Sequence, residues 1–63
     1  MAEEKEFMVQ VKPADSNALK SKYFDSEVKA RKYADEQWEL GAEIVSLWKL
    51  NAVGYRLIEK KKY

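Results

Sequence analysis

Between Glu6 and Lys12 the chain alternates, with Phe7, Val9 and Val11 on one side and Met8, Gln10 and Lys12 on the other. A period of two predicts a strand. Pro13 has no N–H to give to a ladder and ends it, and Asp15, Ser16 and Asn17 supply turn chemistry. Leu19 to Phe24 is expected to return as a short strand and to pair with the first as a hairpin. After Phe24 the period changes. Asp25 or Ser26 offers the side-chain oxygen that caps a helix N-terminus, and Glu27 adds favourable charge in the first turn. Ala30, Tyr33, Ala34, Gln37, Trp38 and Gly41 then recur on one helical stripe. The spacing predicts a helix over 26–40, with Gly41 where a positive φ is wanted and Ala30 and Ala34 small enough to let it lie close to a sheet.

Period two resumes at Glu43 and runs to Leu50, the strongest strand in the chain. A turn within Asn51 to Gly54 leads to a last strand over about 54–60. Strict alternation there puts Tyr55, Leu57 and Glu59 on one face and Arg56, Ile58 and Lys60 on the other. Residues 1–5 and 61–63 are expected to fray. The whole, residues 1–63, predicts a single α+β domain of order β-(β)-α-β-β, a small antiparallel sheet with one helix packed on one face.

A single helix covers a single face. The third strand is apolar on both, with Ile44, Trp48 and Leu50 in one row and Val45 and Leu47 in the other. The larger row is expected to meet the helix, which leaves Val45 and Leu47 facing outward beside Met8 and Ile58. Met8, Val45, Leu47 and Ile58 are therefore the interface candidates, and a homodimer is expected, because an exposed apolar patch marks an interface and a two-fold uses one patch twice.

Composition narrows the chemistry. The 63 residues include no cysteine and no histidine, which excludes disulfides, thiolate or imidazole metal sites and Ser-His-Asp catalysis. A domain this small rarely encloses the roughly 300 Å³ that a ligand pocket needs, so no enzyme, cofactor or metal site is expected. Lys and Arg number 12 against 11 Asp and Glu, too even for a global field that draws the chain to nucleic acid or membrane. No apolar run approaches a membrane span, and the acidic start has no h-region of a signal peptide. A complete small cytoplasmic protein is the expectation.

Two charged clusters stand out. Asp35, Glu36, Glu39 and Glu43 gather near the helix C-terminus, where carboxylates oppose the macrodipole. They form either a solvated face or an acidic patch for a basic partner. Tyr55, Arg56, Lys60, Lys61, Lys62 and Tyr63 make the C-terminal strand basic and aromatic. Lysines there either protect an edge strand or track phosphates while the rings stack on bases.

Phe24-Asp25-Ser26, Ala30, Tyr33-Ala34, Gly41 and a strand ending Trp48-Lys49-Leu50 resemble small phage- and prophage-type single-domain strand-helix-strand proteins of unassigned role, over residues 23–50. The resemblance implies an accessory protein that binds and modulates or blocks a host macromolecule in the host cytoplasm. Two functions are thus expected: a non-enzymatic interaction module acting as a homodimer on a host or cellular protein, or a single-stranded nucleic-acid-binding protein using the C-terminal strand.

Overall fold

Five elements follow in chain order: β1 (Phe7–Lys12), β2 (Lys20–Phe24), α1 (Glu27–Glu39), β3 (Ile44–Asn51) and β4 (Gly54–Lys62). They are defined by a computed structural model that describes residues 5–62. All strand pairs are antiparallel, and the sheet has the order β2-β1-β3-β4 with α1 packed against it. This is the expected small α+β architecture, and the short second strand is present. β4 is longer than expected. Lys61 and Lys62 pair with Val45 and Ile44 rather than fraying, since β3 offers them backbone partners along its whole length. The expected fraying of residues 1–4 and 63 lies outside the described residues.

The helix forms where cap and stripe place it. Ser26 is extended at the N-cap, with φ −138 and ψ 136 and no side-chain capping bond. Its carbonyl accepts from the Ala30 N–H at 3.0 Å. Asp25 instead faces Lys29 across one turn at 3.8 Å. At the other end the Gly41 and Ala42 N–H groups donate to the carbonyls of Trp38 and Gln37 at 3.0 and 3.1 Å. Gly41 takes φ 94, a conformation that costs a residue with a Cβ. The Glu43 N–H then donates to the Lys12 carbonyl at 2.9 Å and returns the chain to the sheet.

Ala30 is fully buried and lies over Val9, Val11, Val45 and Leu47, with Phe7 and Ala42 completing the core. Phe24, Tyr33, Ala34 and Trp38 pack around it, so the predicted stripe faces the sheet. The row chosen from β3 is the reverse of the expectation. Val9 is paired with Leu47 and Val11 with Val45, so Val45 and Leu47 face the helix while Ile44, Ser46, Trp48 and Leu50 face away. Two physical reasons combine. The β1 row Phe7-Val9-Val11 is wholly apolar, whereas two of the three residues in Met8-Gln10-Lys12 are polar, and the row that pairs with the first must share its face. A helix brought close by alanine also leaves a gap suited to Val and Leu rather than to an indole.

The β3–β4 ladder is broken once, between Leu47 and Trp48. Leu47 opposes Glu59 and Trp48 opposes Leu57, so Ile58 is an extra residue, a β-bulge. Alternation changes phase there. Glu59 and Lys61 lie on the helix face, while Lys60 and Lys62 join Tyr55 and Leu57 on the open one, contrary to strict alternation.

A core this small fixes a first prediction. A domain of this size is held by only about 3–5 kcal/mol. Leu47→Ala should cost about 2–5 kcal/mol, and Val45→Lys should leave the chain unfolded. Val28→Ala, at a position 77% exposed, should shift stability by less than about 0.5 kcal/mol. Urea titration followed by circular dichroism checks all three; a well-folded Val45→Lys protein would mean that the helix covers the other row.

Candidate functional site on the open sheet face

The face away from α1 is built from alternate positions of all four strands. Met8 lies between Tyr23 on β2 and Trp48 on β3, and Trp48 is followed across the sheet by Leu57 on β4. Leu50 and Tyr55 pair at one end. Gln10, Ser21, Ser46 and Lys60 form the next row, and Lys12, Ile44 and Lys62 the last. The face is graded, with rings and aliphatic groups at one end, neutral polar groups in the middle and lysines at the other.

The aromatic end covers itself. Tyr23 and Tyr55 stand on the two outer strands with β1 and β3 between them. At about 4.8 Å per strand their backbones are roughly 14 Å apart, yet their ring centroids are 6.1 Å apart. The rings therefore lean inward across the sheet. The Tyr55 hydroxyl donates to the Lys5 carbonyl at 3.0 Å, which pins its ring over the start of β1. Met8, on a face with no helix, is only 8% exposed. Trp48 Nε1 is buried and has no hydrogen-bond partner among the described residues. An unpaired buried donor costs about 1–3 kcal/mol, so stability alone does not account for this indole.

The polar middle is internally satisfied. Gln10 Nε2 donates to Ser21 Oγ at 3.4 Å, and Ser46 Oγ donates to the Gln10 carbonyl at 3.5 Å. At the far end Lys12 is bonded to Glu43. Lys60 and Lys62 are exposed and have no ion pair among the described residues. The paired positions of this face include no carboxylate; Glu6 and Glu43 stand just outside the ladder.

The helix side is different. Arg31 reaches Glu27 at 2.7 Å and Glu59 at 3.4 Å, and Lys61 reaches Asp35 at 3.5 Å. The hydrogen bond to Glu27 is the main cause that raises the Arg31 pKa further above its already high value; desolvation opposes it, and the charges of Glu27, Glu59 and Asp35 add to the rise. Lys22 lies over the rings of Phe24 and Tyr33, at 5.7 and 4.8 Å.

The sequence-derived candidates are therefore redistributed. Met8, Val45 and Leu47 are 8%, 3% and 2% exposed, covered by the chain itself and not available as an interface; Ile58 is 42% exposed beside Leu57 at 43%. Asp35, Glu36 and Glu39 are exposed on α1, but Glu43 is engaged by Lys12 and Asp35 by Lys61, so the four do not act as one patch. The basic strand is split: Tyr55, Lys60 and Lys62 reach the open face, Arg56 and Lys61 do not, and Tyr63 lies outside the described residues. Trp48, expected on the helix side, and Lys12, not among the sequence-derived site residues, stand on this face as well. Their parity relative to Met8 was the available signal.

The space along the outer side of α1, bounded by Val28, Arg31, Asp35 and Leu40, is lined by one helix alone and encloses nothing. No cluster of His, Cys, Asp or Glu able to hold a metal occurs among the described residues, and no helix there is long and apolar enough to cross a membrane. Comparison with family models, known proteins and solved structures finds no match to this chain.

The self-covering end gives a second prediction. Tyr55→Phe removes only the bond to the Lys5 carbonyl and should cost at most about 1 kcal/mol. Tyr55→Ala also removes the ring that shelters Met8 and should cost more by about 0.5–1.5 kcal/mol from the lost ring pair alone. Equal destabilisation of the two variants in urea would mean that the ring itself covers nothing.

Proposed function

We propose that the chain is a non-enzymatic interaction module whose working surface is the sheet face left bare by α1. One observation carries this: three aromatic residues and two lysines without ion pairs among the described residues share that face, and its paired positions hold no carboxylate. Self-repulsion of like charges makes such segregation unfavourable for the free protein, so a ligand is the simplest account of it. A binding role is also what the resemblance to phage-type accessory proteins implies.

A homodimer through apolar contact alone has little to draw on. Full burial of a large aliphatic side chain contributes about 1.5–3 kcal/mol. Leu57 and Ile58 are less than half exposed, so two copies together gain about 2.5–5 kcal/mol from them. Association costs about 4–15 kcal/mol. The face is better suited to a partner held by charge and ring contacts.

Photo-crosslinking tests the assignment. A benzophenone side chain at position 57, on the open face, should capture a macromolecule from a cell extract. The same group at position 36, on the outer helix, should capture none. Capture from position 36 with none from position 57 would overturn the choice of face.

A further inference from the structure

We infer that the ligand of the open face is single-stranded nucleic acid; this rests on that face being the working surface. Tyr23, Trp48 and Tyr55 bring flat rings to one side of the sheet, and every base has a π-face on which such rings stack without regard to sequence. Lys60 and Lys62 stand one and two rows away, exposed and without ion pairs among the described residues, at a spacing that follows a phosphate backbone leaving the rings. Gln10, Ser21 and Ser46, beside Lys60, are bonded to one another and add no charge to that path.

The bulge is what makes the face complementary to a polyanion. Under strict alternation Glu59 and Lys61 would stand beside Leu57. The extra Ile58 sends Glu59 to Arg31 and Lys61 to Asp35 on the helix side and brings Lys60 and Lys62 across. A chain with a formal charge of only +1 thereby presents a locally cationic surface. Duplex nucleic acid hides its base faces and would leave the rings idle. An acidic peptide of aliphatic residues would use the lysines but bring no flat group to the aromatic end. The single strand uses both.

The experiment is fluorescence anisotropy of the full chain with a labelled oligothymidylate of about twelve nucleotides, within the usual range for a small single-strand site. The two free lysines predict a slope of log affinity against log salt of about −1.4, given about −0.7 per phosphate neutralised on a single strand. Lys60→Ser with Lys62→Ser, both exposed, should flatten that slope by about 1.4. Arg56→Ser with Lys61→Ser, on the other face, should leave it unchanged. Tyr55→Leu should weaken binding about 5- to 150-fold with the slope intact. The matching duplex should bind more weakly than the single strand. No binding at low salt overturns the inference, as does equal loss from the two lysine-bearing pairs. Failure with oligonucleotide while position 57 still cross-links to protein removes the nucleic acid and keeps the face; failure of position 57 to capture anything removes the face as well.

Discussion

One thirteen-residue helix has to stabilise a four-stranded sheet, and it can do so from one side only. The contact that permits it is Ala30, with no exposed surface, set against Val9 and Leu47, the two largest fully buried side chains. Everything else follows from that close approach. It selects the β3 row of medium side chains for the core and sends the indole of Trp48 to the far side. It also leaves the far side without a lid, so the chain makes one from its own outer strands by leaning Tyr23 and Tyr55 together.

The two faces are consequently held by different forces. The helix face depends on dispersion and the hydrophobic effect and is bordered by ion pairs, Arg31 with Glu27 and Glu59, and Lys61 with Asp35. Exposed pairs of that kind contribute little to stability; their larger effect is to keep these carboxylates occupied on one side of the molecule. The open face depends on ring contact and on a few side-chain hydrogen bonds at 3.4 and 3.5 Å. It keeps a buried indole N–H unpaired and two lysines without counterions among the described residues. Those are the features expected where binding, rather than folding, sets the side chains.

Much of the fold is legible in the sequence because its periodicities are clean. The helical stripe from Ala30 to Trp38, the glycine stop at Gly41 and the alternation of β1 each point to one structure only. The β3 row does not, because Ile44-Trp48-Leu50 and Val45-Leu47 are both apolar and alternation cannot choose between them. The choice resides in the register with β1, a long-range pairing that no local pattern contains. The candidate site was less legible still. Its lysines depend on a bulge that adds no signature beyond one more apolar residue in an apolar run. Its aromatic end depends on contact between strands at opposite edges of the sheet, joined in sequence by the helix and β3.

The bulge also governs how the length of this chain can vary. Ile58 is the residue of β4 that can be lost while the other pairings with β3 keep their partners and their faces. A further residue inserted between Leu57 and Glu59 would instead carry Glu59 and Lys61 to the open face and Lys60 to the helix side, reversing the charge pattern of the sheet with almost no change in composition. Sequences descended from a common ancestor with this chain are therefore free to differ in length at one position of the last strand.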